Sequence, residues 1–267
     1  MDLQHRDPFH YIDSFTDPAV RQLIRHPTSD LETTFDSDDR WKVYFSQLSQ
    51  NYEAYRPCES DANSLLRAFG FALMESYARQ WSPSHDLFLE LRMKIVDEEG
   101  EFALLEKYSE QREILRDCLE RVTDLCQRNP SMAVYHVQTL LGKTWFDAVF
   151  RGVLRMVLLN YLEMHTEDLS EELSSLTQAI TEDSSELSAQ VLSLLASIFS
   201  VTVQLQDFYG TYEEAVLYSS DDSRPIDFTL YKLDSGYGVL YSREELGRDK
   251  FDPETRRFDL GSNWDNS

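Results

Sequence analysis

The residues able to act as nucleophiles or bases are few. Three thiols (Cys58, Cys118, Cys126) and six imidazoles (His5, His10, His26, His85, His136, His165) are spread over 267 residues. A thiol attacks as the thiolate, so it needs a histidine or another source of positive potential beside it. No C-x-x-C or H-E-x-x-H spacing gathers these side chains into a zinc site. No G-x-G-x-x-G or G-x-x-x-x-G-K-[ST] loop offers a phosphate cradle. Neither a metal nor a cofactor is expected. Cys118 and Cys126 stand eight residues apart in a helical pattern, about 12 Å along an axis, too far to bridge. An odd, small number of cysteines is no disulfide framework and points to the cytoplasm, with the nucleus also open to the chain. Met1 to Tyr11 is polar and contains Asp2, Arg6 and Asp7, so no secretory leader is expected there.

The elements that must position any site follow from periodicity. Asp17 and Pro18 open a short helix to Ile24, and Thr28 to Asp39 reads as an acidic loop. Trp41 to Tyr52 has helical spacing, and Arg56 to Ala62 reads as loop. A central helix begins near Asn63 or Ser64 and runs to about Arg79, with Leu66, Phe69, Leu73 and Tyr77 on one stripe and Leu65 and Ala72 widening it. Helices are expected over Asp86 to Val96, Glu101 to Arg128, Met132 to Leu141 and Trp145 to His165. Thr166 to Ser185 is a helix surface or a loop. Leu187 to Gln206 carries no charge for twenty residues, the length of a membrane span. Its many Ser, Thr and Gln residues argue for a buried helix running into a strand with period two at Val201, Val203 and Leu205. Ile226 to Lys232 and Tyr237 to Ser242 form a hairpin. The fold class is α+β, a helical body with a small C-terminal sheet.

Hydrophobic residues make up 42% and charged residues 27%, so a packed core is expected. The net charge is −23, from 25 basic and 48 acidic residues. Such a surface repels phosphate backbones and anionic membranes and suits a basic protein partner.

Arg56-Pro57-Cys58-Glu59-Ser60-Asp61-Ala62-Asn63-Ser64-Leu65-Leu66-Arg67-Ala68-Phe69-Gly70-Phe71 resembles the active-site segment of the otubain family of deubiquitinases, R-P-D-G-N-C-F-Y-R-A-F-G-F. Thr229-Leu230-Tyr231-Lys232, a turn, then Gly236-Tyr237-Gly238-Val239-Leu240-Tyr241 resembles the otubain C-terminal hairpin, L-Y-R-P-G-H-Y-D-I-L-Y. Ala189 to Gln206 resembles the helix and strand before that hairpin. The resemblance implies a papain-like cysteine protease fold. It divides the chain into an N-terminal arm over 1–40, an otubain-like domain over 41–242 and a charged tail over 243–267. In the tail Phe251, Phe258 and Trp264 are candidate anchors.

The same resemblance implies which residues should do chemistry. The family nucleophile maps to Ser64, the base histidine to Gly236 and its orienting aspartate to Gly238. Asp61 and Asn63 match the motif, but its glycine is Ala62. In the family Asp61 helps build the oxyanion region; here a helix-capping role is the plainer reading. Cys58 is an alternative nucleophile, but Glu59 and Asp61 deny it an electropositive setting, and a structural thiol fits better. An engineered trap explains Ser64 but not the two glycines. The expectation is a naturally inactive relative that binds ubiquitin or a ubiquitin-conjugating enzyme. Two alternatives stay open: a scaffold subunit that has lost ubiquitin binding, and a residual hydrolase with a histidine reaching Ser64 from elsewhere. Oligomeric state is left open.

Overall fold

The computed structural model describes residues 25–34, 45–46, 48–95, 109–165, 171–182, 187, 190–208, 215–219, 224–233, 236–252 and 257–258. Its elements begin with β1 (His26–Pro27), α1 (Ser29–Thr34), β2 (Ala54–Pro57) and α2 (Ser64–Gln80). Next come α3 (Leu87–Ile95), α4 (Ser109–Arg128), α5 (Ala133–Leu141), α6 (Thr144–His165), α7 (Glu171–Thr181) and α8 (Gln190–Phe199). The chain ends in β3 (Val203–Asp207), β4 (Val216–Tyr218), β5 (Phe228–Leu233), β6 (Gly236–Tyr241), α9 (Arg243–Asp249), β7 (Phe251–Asp252) and β8 (Arg257–Phe258). The expected helix over Asp17 to Ile24, the first turns of the one over Glu101 to Arg128, and Trp264 lie outside the described residues.

Two compact units result. The otubain-like body expected over 41–242 runs through both. One unit, within Gln80–Asp183, is helical. In α4 the buried residues Leu115, Leu119, Val122 and Cys126 recur at steps of four and three, the apolar stripe of an amphipathic helix. In α6 the run from Val153 to Leu158 is almost wholly buried. Arg155 reaches the end of α7 and donates to the carbonyls of Ala179 (3.0 Å), Ile180 (2.7 Å) and Glu182 (3.1 Å). A cation there satisfies carbonyls the helix leaves unpaired.

The other unit holds the sheet and nearly all of α2. Six strands lie in the order β1-β2-β6-β5-β3-β4. β5 and β6 form the expected hairpin, β3 runs parallel to β5, and the remaining pairs are antiparallel. In β5 both sets of alternating side chains are buried, as a sheet covered on both faces requires. Phe228 meets Phe69 of α2 at 5.6 Å between ring centroids. Tyr231 joins Leu31, Phe45, Leu48, Tyr52, Phe208 and Leu240 in a second apolar cluster. Phe69 also meets Phe199 at the end of α8, 5.8 Å between centroids.

Four expectations change. Arg56 and Pro57 are strand, because β2 pairs with β6 from Ala54↔Tyr241 to Pro57↔Gly238. The acidic loop after Thr28 contains α1. Between the strand expected to end at Gln206 and the one expected from Ile226, a further short strand, β4, forms and pairs with β3. The described residues directly after Ser242, 243–252, are no loose tail. Ser242 caps α9, its hydroxyl accepting from the Glu245 N–H (3.3 Å) while its own N–H donates to Glu245 Oε2 (2.8 Å). The N-terminal arm likewise joins the sheet at His26, which pairs with Tyr55.

A buried ionic cluster holds these ends to α2. Arg25, Arg56, Glu75 and Asp249 have fully buried side chains, and Arg79 is nearly so. Glu75 takes Arg56 at 2.6 Å, Arg79 at 3.4 Å and Arg25 at 3.5 Å. Asp249 takes Arg25 and Arg79, each at 2.8 Å, and Arg79 also reaches Glu245 at 3.1 Å. Three guanidiniums thus face three carboxylates. The Tyr241 ring lies 4.1 Å from the Arg25 guanidinium, an added cation–π contact. Burial alone would raise the Glu75 pKa, but the three cations outweigh it and hold the carboxyl at about 2.

Candidate functional site

Ser64 opens α2, where the aligned peptide dipoles place partial positive charge. Its N–H donates to the Asp61 carbonyl at 3.1 Å, and the residue is 3% exposed. The turn before it is tied down by Asp61. One Asp61 oxygen accepts the Asn63 N–H at 2.9 Å, an Asx turn. Both Asp61 oxygens accept from Arg67 at 3.0 Å. Arg67 also donates to the Glu59 carbonyl at 3.3 Å, and its guanidinium is buried. Asp61 is therefore engaged in fixing the turn from Glu59 to Ser64.

Gly236 opens β6 and faces Ser64. A β-carbon built on Gly236 lies 2.9 Å from Ser64 Oγ and 3.1 Å from Ser64 Cβ. Two residues 172 positions apart in sequence, Ser64 and Gly236, are thus brought into contact. Gly236 has φ +119, a conformation open to glycine and strained for other residues. Its own position therefore holds no base.

Gly238 is closed in a different way. A β-carbon there would collide with the Arg56 carbonyl oxygen and lie 2.5 Å from both Cε1 and Cζ of Tyr231. Tyr231 is the cross-strand partner of Gly238, and Arg56 flanks it from β2. A glycine leaves room for the tyrosine ring to lie over it, and the ring is 2% exposed. Burial drives the Tyr231 pKa well above the ordinary phenol value, so its hydroxyl is no base.

The other candidates are elsewhere. Cys58 is buried and its N–H donates to the Tyr237 carbonyl at 3.2 Å. Cys118 and Cys126 are buried in the helical unit, and desolvation pushes each thiol up to about 12, far from a reactive thiolate. Burial lowers the His136 pKa. His26 sits 3.8 Å from Asp30, and His85 sits 3.4 Å from Glu90. Among the described residues no histidine is hydrogen-bonded to Ser64. Nor does any group of three or more His, Cys, Asp or Glu among them offer a metal site.

Two further residues shape this place. In the sequence Arg67 is one letter of the motif run; in the structure it locks the turn before Ser64. In the sequence Tyr231 is one residue of a strand; in the structure it lies across from Gly238. The signal for it was present: a short turn between Leu233 and Gly236 sets Tyr231 opposite Gly238.

No family model and no curated protein matches the sequence. Solved structures do. A chain of the ceOTUB1 ubiquitin aldehyde UBC13~Ub complex superposes with a TM-score of 0.65 at 16% identity, over 82% of this chain and 92% of that one. A chain of the h/ceOTUB1-ubiquitin aldehyde-UBCH5B~Ub complex gives 0.64 at 15%, over 84% and 92%. The h/ceOTUB1-ubiquitin aldehyde-UBC13~Ub complex gives 0.62 at 15%, over 82% and 89%. The chain has the otubain fold. The otubain-like hairpin and central helix carry the expected α+β class, with the expected order of helix and strand before the hairpin. Among the described residues of this otubain fold, no helix is long and apolar enough to cross a membrane.

Proposed function

We propose that the chain is a catalytically inactive otubain-like protein that binds ubiquitin or a ubiquitin-conjugating enzyme as a regulatory module. The observation that carries the loss of chemistry is the contact between Ser64 and Gly236. A serine hydroxyl ionises far less readily than a thiol, and the helix terminus offers only about 0.3–1 kcal/mol. Serine therefore needs a general base, and the position facing it is a glycine. The place from which a carboxylate would orient that base is filled by Tyr231 and the Arg56 carbonyl. Cys58 is held in a structural role.

Binding is supported by two further facts. The fold is that of chains seen in complexes with ubiquitin aldehyde and with the ubiquitin-loaded conjugating enzymes UBC13 and UBCH5B. The net charge of −23 complements the basic rim around the apolar patch of ubiquitin.

The test is a titration of labelled mono- and di-ubiquitin, followed by their amide shifts, with a parallel titration of a ubiquitin-loaded conjugating enzyme. Saturable shifts on the apolar patch, or on the enzyme, are expected. No shift in either titration at high concentration would overturn the binding role. Cleavage of di-ubiquitin, abolished by Ser64→Ala or Cys58→Ala, would overturn inactivity.

A further inference from the structure

The six-stranded sheet ends differently at its two edges. At one end β1 is two residues long and contains Pro27, which has no N–H to offer an incoming strand. At the other end β4 pairs with β3 through Val203↔Tyr218, Gln204↔Leu217 and Leu205↔Val216. No described strand covers its outer edge. Exposed edges are ordinarily blunted by Lys, Pro or a bulge, and β4, Val216-Leu217-Tyr218, contains no Lys or Pro. Instead Val216 is 46% exposed and Leu217 is 58% exposed, and Ile226, just before β5, is 47% exposed. Strand alternation puts Val216 and Leu217 on opposite faces, so an added strand meets an apolar neighbour on each face.

The surrounding sequence selects the occupant. Over positions 207–227 the sequence carries six acidic residues, Asp207, Glu213, Glu214, Asp221, Asp222 and Asp227, and a single basic one, Arg224. The Arg224 guanidinium is hydrogen-bonded to the Ser200 carbonyl. A second copy of the chain brings another −23 charges to the same edge and is repelled. A segment in which Lys or Arg alternates with Val, Ile or Leu is attracted by the charge and fits both apolar neighbours.

We infer that the outer edge of β4 docks an extended basic and apolar segment of a partner protein by strand addition. This surface is additional to the ubiquitin reading above and is tested without ubiquitin. The probe is a fluorescent, end-capped ten-residue peptide of alternating lysine and valine, added to the full chain. Its controls are a glutamate–valine peptide and a lysine–valine peptide N-methylated at alternate residues. Anisotropy reads affinity, and amide hydrogen exchange over residues 215–219 reads strand addition. The lysine–valine peptide should bind saturably and slow exchange in β4. N-methylation, the double variant Val216→Ser/Leu217→Ser, and Leu217→Lys should each weaken binding about tenfold or more. Both substituted positions are exposed, so thermal melting should stay unchanged. Absence of binding, equal binding of the N-methylated peptide, or undiminished binding to the variants would overturn the inference. So would a dimer in sedimentation that the double variant abolishes, since that assigns the edge to a second copy.

Discussion

At the scale of single residues, Gly238 marks how far the site has been rebuilt. Its missing side chain is no open vacancy that one substitution refills, because Tyr231 and a main-chain carbonyl occupy the space. Gly238→Ala should destabilise by about 1–3 kcal/mol, an overpacking cost. Tyr231→Ala should not rescue it, because the Arg56 carbonyl it would meet is backbone held by the β2–β6 pairing. A double-mutant cycle of melting temperatures checks this, and recovery of the wild-type value would refute it. Ser64→Cys/Gly236→His/Gly238→Asp should likewise melt lower than the wild type and leave di-ubiquitin uncut in a gel assay. The strain at Gly236, with φ +119, and the crowding at Gly238 oppose the imported side chains. The motif letters were legible in the sequence at these positions. The reason they cannot simply be reversed was not, because it lies in contacts among β2, β5 and β6.

At the scale of elements, the start of α2 and the whole of α9 depend on local polar chemistry. Arg67 holds Asp61 through a bidentate pair, the strongest geometry for that couple. Since Asp61 is 39% exposed, solvent screening limits the gain. Arg67→Met should cost roughly 1–3 kcal/mol and speed amide exchange in the turn from Glu59 to Ser64, with exchange in β5 unchanged. In α9, Ser242→Ala removes one arm of the capping box and should cost about 1 kcal/mol, read from chemical denaturation. That box was visible as Ser242-Arg243-Glu244-Glu245 directly after a strand, a signal obscured by the charge of the following segment. The edge strand β4 was not legible, because Val216-Leu217-Tyr218 is too short to show a period and takes its conformation from pairing with β3.

At the scale of the whole molecule, the buried cluster around Glu75 couples pieces distant in sequence. Arg25 comes from before β1, Arg56 from β2, Glu75 and Arg79 from α2, and Asp249 from α9. The folded Glu75 pKa, about 2, lies below the ordinary glutamate value of 4.5. The unfolded chain therefore binds this proton more readily. Its stabilising contribution is fully present above pH 4.5 and is lost as pH falls toward 2. Glu75→Gln should destabilise the protein at pH 7 by about 3–5 kcal/mol, since it leaves buried guanidiniums without their shared carboxylate. It should also flatten the fall in melting temperature below pH 4.5; an unchanged acid profile would mean Glu75 does not carry it.

The sequence by itself determined the central helix from Ser64, the amphipathic helices, the β5–β6 hairpin and the acidic surface. These follow from periodicity, turn residues and charge count, which are local or additive properties. It also showed which residue types stand at Ser64, Gly236 and Gly238. Only the tertiary structure decided that Gly236 lies against Ser64, that the Arg56 carbonyl closes on Gly238, and that Arg25 and Asp249 meet across a buried cluster. Those are contacts between residues tens to hundreds of positions apart. No local pattern encodes them, because they arise when strand register and helix packing bring separate segments to one place.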